Sequence, residues 1–475
     1  MNSTTFHAFV ITLRRVLCVG LVTASPLLAT AGESEFLVIS DIHFNPFHGL
    51  DKQQFQQLNS LPAKQWPVFF KSLDQPVVRP GDNTDTNYML LVSALDAAKK
   101  RLPDAPFILY PGDFMGHNWQ DNYDGLASQT IGRNPQAFRE FTTKALTLVA
   151  SEFKQRFPDT PVLATLGNDD SFCEDYWIQP NGDFLSTFAD VWQPLLDTAV
   201  EAADFRKSFT SLGAYSAELP GLADDRLLVL NSVLWSASYG SASHDPNAHG
   251  HNCCSCTNPG AAPGTAQFEW LETQLTLAAK QKKRVWLLMH VPPGLDCYAL
   301  DKGSKVANQW TPEFTSRYLQ LLGRFRDTLH TSFTGHTHMD DYRIDRIDGE
   351  PVLLHKITPA VSPIFGNNPA FLVFQLDSKS AAPSNWQAHY LNLASPGAAS
   401  RPTSEWSVEY DARKTYGIEE VTARSIDALF VLMKNDQVGP RATAYRKFYE
   451  VSASTISQSD LMVYVCAVLN AMYDE

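Results

Sequence analysis

The chain has 475 residues, 44% hydrophobic and 19% charged, with a formal net charge of −13 at pH 7. That length exceeds what one hydrophobic core usually accommodates, so one large domain with a smaller companion is expected. The 38 Lys and Arg against 51 Asp and Glu exclude duplex nucleic acid and anionic lipid surfaces as electrostatic partners; a small anionic substrate is not excluded, because a bound metal supplies local positive charge.

Residues 1–31 come before any fold. Arg14 and Arg15 form a short basic patch, residues 16–30 are mostly apolar, and Ala29-Thr30-Ala31 offers the small-x-small pattern of a secretory cleavage site. Thr23, Ser25 and Pro26 interrupt the apolar run, which argues against a membrane span. A removed signal peptide is expected, and with it an exported protein, periplasmic or secreted, with no stable membrane insertion. Six cysteines remain: Cys173, Cys253, Cys254, Cys256, Cys297 and Cys466. An even number in an exported chain suggests disulfides, whose pairing the sequence does not choose. The cluster His249, His251, Cys253, Cys254 and Cys256 reads as a disulfide-stapled loop, since its spacing matches no zinc pattern.

Residues 36–40 form a short apolar strand that runs into Asp41-Ile42-His43. Residues 46–81, punctuated by Pro46, Gly49, Pro62, Pro67, Pro76, Pro80 and Gly81, read as a long loop. Tyr88–Arg101 carries apolar residues at helical spacing, with Asn83, Asp85 or Thr86 available to cap it. A strand at 107–110 ends in Pro111-Gly112-Asp113. After a helix at 137–157, a strand at 162–166 ends in Gly167-Asn168-Asp169-Asp170. A strand at 226–230 leads to Asn231, and a helix at 267–283 precedes a strand at 285–289 that ends in His290. A helix at 312–329 precedes a strand at 331–334, which runs into Gly335-His336-Thr337-His338. Strands at 352–355 and 371–374 read as continuations of one sheet. Ser/Pro-rich stretches follow, and from 406 to 475 the periodicity is helical. The expected organisation is a signal peptide over 1–31, an α/β domain over 32–395 and a helical C-terminal subdomain over 396–475. In such folds, sites collect beyond the carboxyl ends of strands.

A lone Asp or His at a strand end is more often a loop cap or a solvated side chain than a ligand. Here five strand ends carry, in order, Asp41 and His43, Asp113, Asn168, His290, then His336 and His338. Two divalent cations about 3.5–4 Å apart, sharing one carboxylate, use such an inventory. Asp113 is the obvious bridge, since a carboxylate can place its two oxygens on separate metals. Imidazoles suit zinc first, with iron or manganese as alternatives.

This order of motifs resembles the calcineurin-like metallophosphoesterases. Further features resemble their acid sphingomyelinase-like phosphodiesterase branch: residues 107–117, ending in His117; Gly366-Asn367-Asn368-Pro369; and the tail with Trp406, Tyr410, Ala412-Arg413, Tyr416-Gly417 and Phe448-Tyr449. The resemblance implies a four-layer α/β/β/α sandwich with a small helical C-terminal subdomain. It implies that Asp41, His43, Asp113 and His338 hold one metal, while Asp113, Asn168, His290 and His336 hold the other. It also makes His117 the candidate acid that protonates the leaving group. The chain departs from the family at Asp169, where a histidine usually follows the asparagine. A carboxylate there would repel an anionic substrate unless protonated, metal-bound or turned away. Gly116 stands where the purple acid phosphatases need a tyrosine, which sets that branch aside. The expected activity is hydrolysis of small phosphoesters, foremost soluble phosphodiesters, nucleotides or choline-phosphoesters. A phosphomonoesterase or polyphosphatase and an inactive metal-binding scaffold are the alternatives. His48, His244, His249 and His251 are further pocket candidates.

Overall fold

The computed structural model describes residue 1 and residues 34–78, 84–173, 175–240, 260–296, 307–394 and 405–470. The expected signal peptide, His244, His249, His251, Cys253, Cys254, Cys256 and Cys297 lie outside the described residues. The first strands are β1 (Glu35–Val38), β2 (Ile108–Tyr110), β3 (Val162–Ala164), β4 (Tyr215–Glu218), β5 (Asp225–Val229) and β6 (Arg284–Leu288). They are followed by β7 (Leu329–Thr334), β8 (Asp341–Ile347), β9 (Glu350–Ile357), β10 (Ala370–Leu376), β11 (Pro383–Tyr390) and β12 (Ser407–Asp411). Among the described residues these build two mixed sheets, in the orders β12-β11-β10-β1-β2-β3 and β4-β5-β6-β7-β9-β8. The strands that lead into the site, β1, β2 and β3 in one sheet and β6 and β7 in the other, run parallel to their neighbours in that group.

The central strands are short, unbroken apolar runs because they are covered on both faces. Between the sheets lies an aromatic layer. The Phe36 ring sits 5.5 Å from Trp286 and 5.7 Å from Phe333, and Phe333 lies 5.1 Å from Phe374. Each such ring contributes about 1.5–3 kcal/mol by burial, which fixes the two sheets face to face. At one margin the Tyr215 hydroxyl of β4 donates to the Ala164 carbonyl of β3 and accepts from its N–H, both at 2.9 Å. Helices Tyr88–Arg101, Pro135–Arg156 and Asp183–Leu196 form one outer layer, and Ala262–Lys280 and Pro312–Phe325 belong to the other. The result is the α/β/β/α sandwich expected from the motifs.

Several expectations change. The long loop at 46–81 contains helices Lys52–Ser60 and Trp66–Ser72. The first buries only Phe55 and Leu58, too few positions to show a helical period, and it starts at an Asp51–Gln54 capping box instead. Tyr88–Arg101 is capped by Asn87, which accepts from the Leu90 N–H, so Asp85 is free for another task. Strands β9 and β10, read as parts of one sheet, belong to different sheets. The helical reading from 406 onward also fails at its start, where β12 pairs with β11. Helices Ala423–Asn435, Pro440–Phe448 and Leu461–Leu469 then form the smaller helical region, packed on β8 and β9.

Cys466 is free and exposed, so the six cysteines do not all pair; Cys173 is buried and disulfide-bonded. Among the described residues no helix is long and apolar enough to cross a membrane.

Candidate metal centre

All seven expected ligand residues meet beyond the carboxyl ends of β1, β2, β3, β6 and β7. The approach is so close that two motif glycines have no alternative. A Cβ on Gly167 would strike the Asp113 carboxylate, and one on Gly335 would strike Asp41 and Ser40. The loops are also bent sharply. Asp41 (φ 49°), His43 (44°), Asp113 (60°), His336 (77°) and His338 (64°) all occupy the left-handed region, which costs a non-glycine residue about 1 kcal/mol or more. Cross-bracing holds them there: Asp41 N–H donates to the Gly112 carbonyl (3.1 Å), and His43 N–H to the Asp113 carbonyl (3.0 Å). The Asp41 carboxylate accepts from the His336 N–H (2.9 Å).

Two histidines have their tautomer set by the backbone. His43 Nδ1 donates to the Met115 carbonyl (3.0 Å) and His290 Nδ1 to the Pro111 carbonyl (2.7 Å). Each therefore points its Nε2 into the site, the atom that metal-ligating histidines use, while Asp113 raises both imidazoles against their burial, His290 to about 9. Asp113 Oδ2 lies between them, 3.2 Å from His43 Nε2 and 2.9 Å from His290 Nε2. On one side His338 Nε2 is 3.0 Å from His43 Nε2 and 3.7 Å from Asp41 Oδ1. On the other, Asn168 Oδ1 is 2.9 Å from His290 Nε2, and His336 completes a group with Asp113 and His290. Burial would raise the Asp113 carboxyl, but His290 and His43 hold it well below the ordinary carboxylate range. Burial and the neighbouring His290 push His336 down to about 3, which keeps its lone pair available.

Asp41, His43 and Asp113 form one donor group and Asp113, His290 and His336 another, sharing Asp113 in a dinuclear metal-binding site; His43, His117 and His338 form a third group beside them. The chemistry of the set fits two divalent cations: buried nitrogen and oxygen donors converge on one another, and a carboxylate sits at the shared position.

His117 lies at the mouth, stacked on His43 with ring centroids 4.1 Å apart. Its Nδ1 pairs with Asp85 (3.0 Å), and its Nε2 faces Asp169 Oδ2 at 3.8 Å. Burial and His43 lower the His117 pKa, yet Asp169 and Asp85 outweigh them and the net shift is upward. Asp169 does not point away from the site; its Oδ2 is also 3.8 Å from His43 Nδ1. His48 instead faces Thr84 Oγ1 at 3.4 Å.

Four residues near the centre have roles that the sequence did not point to, Asp85 among them, which reads as a helix cap. Asp85 holds His117. Asp170 is buried and accepts four backbone N–H groups, from Asp113 (3.0 Å), Phe114 (2.9 Å), Met115 (3.2 Å) and Gly167 (2.8 Å). Tyr176 places its hydroxyl 3.1 Å from His336 Nε2. Phe365 stands edge-on to His338 and His117. The doubled acid in Gly167-Asn168-Asp169-Asp170 was a signal for Asp170; the others depend on contacts with distant parts of the chain.

The chain matches the family model described as "Calcineurin-like phosphoesterase" over residues 34–340, and that described as "Acid sphingomyelin phosphodiesterase C-terminal region" over 352–473. It is 28% identical over 454 residues to acid sphingomyelinase-like phosphodiesterase 3b from Homo sapiens, spanning 93% of this chain and 88% of that protein. It is 28% identical over 397 residues to cyclic GMP-AMP phosphodiesterase SMPDL3A from Mus musculus, spanning 81% and 79%. Among solved structures, a dimetal phosphatase from Danio rerio aligns at a TM-score of 0.41 and 14% identity, over 76% of this chain and 97% of that one.

Proposed function

The chain belongs to the calcineurin-like phosphoesterases, and from that premise we propose that it is an exported phosphodiesterase acting on small soluble phosphodiesters. The observation that carries the reading is the meeting of Asp41, His43, Asp113, Asn168, His290, His336 and His338 beyond five strand ends, where two donor groups share Asp113. Asp41, His43, Asp113 and His338 would hold one divalent cation, and Asp113, Asn168, His290 and His336 the other, with zinc the first choice. When bound, the ions polarise phosphoryl oxygens and acidify a water to a pKa near neutrality. The chain's own contribution at the leaving group is His117. Asp85 fixes Nδ1 and leaves Nε2 facing the site, where it donates a proton to the departing alkoxide.

Burial pushes the Asp169 carboxyl well above the ordinary carboxylate range, with His117 opposing and Asp175 and Asp113 adding to the rise, so a protonated Asp169 does not repel a phosphoester. The signal-like segment at 1–31 supports export, and the names of similar proteins support diester chemistry.

The test is hydrolysis of bis(p-nitrophenyl) phosphate alongside p-nitrophenyl phosphate, with metal analysis of the purified protein. The expected outcome is two divalent ions per chain, chelator-sensitive turnover, a higher kcat/KM for the diester, and loss of activity in Asn168→Ala and His290→Ala. Wild-type rates in both variants would refute the proposal.

A further inference from the structure

Asn168 brings a carboxamide to the centre, and a carboxamide has two ends of opposite character. Its oxygen can hold a cation, whereas its NH2 group turned inward would repel one. The side chain alone does not choose, because a half-turn about its last bond exchanges the two ends. The choice is made by what the NH2 group meets. Asn168 Nδ2 donates to Asp175 Oδ1 at 2.8 Å and, at a longer 3.3 Å, to Oδ2 of the adjacent Asp169. Turned the other way, the amide oxygen would face two carboxyl groups, and the NH2 group would face His290 Nε2, which lies 2.9 Å from Oδ1.

Asp175 is held for this contact by a short return of the chain. The Tyr176 N–H donates to the Asn168 carbonyl (2.9 Å), so the backbone comes back to the residue it left. In between, the Cys173 N–H donates to Ser171 Oγ and that hydroxyl to the Trp177 carbonyl, both at 2.9 Å. Cys173 is itself disulfide-bonded. Tyr176 adopts φ 57° and puts its hydroxyl 3.1 Å from His336 Nε2. The return thus meets both Asn168 and His336, which belong to the same half of the centre.

We infer that Asp175 is a positioning residue: it takes the Asn168 NH2 group and so holds the carboxamide oxygen toward the ion for which Asp113, His290 and His336 are the other expected ligands. The inference rests on the proposed assignment of Asn168 as a ligand of that ion. Two effects combine. The contact fixes which end of the amide faces inward. A carboxylate at the NH2 end also draws charge toward the oxygen, which makes it a stronger donor to a cation. Asp175 needs no contact with substrate for this; it acts through Asn168, seven residues before it in the chain.

The experiment withdraws zinc from the zinc-loaded protein with a chelating dye and reads the two stepwise affinities. It uses wild type, Asp175→Ala, Asp175→Asn, Asn168→Ala and the double variant Asn168→Ala/Asp175→Ala. In Asp175→Ala one zinc is expected to weaken by about 10–100-fold while the other stays within about threefold of wild type. Asp175→Asn keeps an acceptor oxygen for the Asn168 NH2 group, so it should recover most of that loss. In the Asn168→Ala background, removing Asp175 should cost nothing further, since no carboxamide is left to orient. Wild-type affinities in Asp175→Ala overturn this inference alone. So does a loss that Asp175→Asn fails to reduce, an equal loss at both ions, or losses that add in the double variant. A wild-type chain that binds no pair of zinc ions overturns the parent reading and this inference with it.

Discussion

Replacing Asp170 by Asn should uncouple the metal centre from the sheet, although Asp170 is not one of the expected ligands. Its Oδ1 accepts from the Phe114 and Met115 N–H groups and its Oδ2 from those of Asp113 and Gly167. The residue is fully buried, so no water takes over a lost bond. Burial and the nearby Asp113 raise its pKa to about 7 against the pull of the backbone donors. An asparagine keeps one acceptor oxygen and turns an NH2 group toward the other pair of donors. At pH 8.5, where the carboxyl is ionised, two bonds to a charged group are then lost, at about 1.5–3 kcal/mol each, for a total of about 3–6 kcal/mol. That is a large part of the stability of a typical domain. Whichever pair of donors is left unpaired, Asp113 and Gly167 or Phe114 and Met115, belongs to the loops that carry the shared carboxylate or Asn168, so the metal ligands should shift as well. Urea unfolding of metal-loaded protein measures the first effect, and metal retained per chain after dialysis measures the second. An Asp170→Asn protein within about 1 kcal/mol of wild type, with full metal content, would refute the reasoning.

Asp85→Asn weakens the partner that orients His117, and its effect should depend on the leaving group. With p-nitrophenol, which departs without protonation, kcat/KM should change little, whereas an alkyl leaving group should lose on the order of a hundredfold. Equal losses on both would remove the proton-donor assignment. A pH effect is expected far from the centre, at His389, which stacks on Phe371 at 5.2 Å and 6°. Burial, then Arg101, pushes its pKa down to about 4, with Glu35 opposing. An unfolded histidine titrates near about 6.5, so between those values the unfolded chain binds a proton that the folded one refuses. The contribution is therefore complete above pH 6.5 and lost as pH falls toward 4, by about 2 kcal/mol at pH 5. Urea midpoints at pH 7.5 and 5 should converge in His389→Gln; an unchanged gap would refute the assignment.

The metal centre was legible because its signal is local. Asp41, Asp113, Asn168, His290 and His336 each follow a short apolar run within a few residues, and the run and the polar cluster can be read together. Asp85 gave no comparable signal. Its partners His117 and Ser362 lie 32 and 277 residues away, and a polar residue just before a helix reads as a cap. Strand β8 was hidden for a related reason. Its sequence alternates charged and apolar residues from Asp341 to Asp345, yet the charged ones among them are buried too. Asp341 is satisfied by Arg343 (2.6 Å) and the Tyr445 hydroxyl (2.7 Å), and Asp345 by the Tyr318 hydroxyl (2.8 Å). A strand whose polar residues find partners within itself and on two other elements cannot be told from a loop by its own pattern.

Those same pairings argue that the C-terminal region is part of the centre's support. His338 is followed by Asp340, whose N–H donates to the Tyr449 carbonyl (2.9 Å) and whose carboxylate takes the Lys356 ammonium and the Tyr410 hydroxyl (2.7 Å). Lys356 is buried with its Nζ 4.5 Å from the Tyr342 ring centre, and Tyr410 in turn accepts from Trp386 (2.9 Å). A buried ion pair of this kind costs desolvation, and its clearest use is to fix one arrangement among several. The arrangement fixed here is the exit of the chain from the strained His338, with Tyr449 on one side. Two residues on, Val451 anchors the turn that carries Phe365. A segment from 449 to 451 thus holds both the loop after a candidate ligand and the turn beside it. The helices after β12 thus brace loops that the sandwich, with five site residues in left-handed backbone, would otherwise leave free to relax.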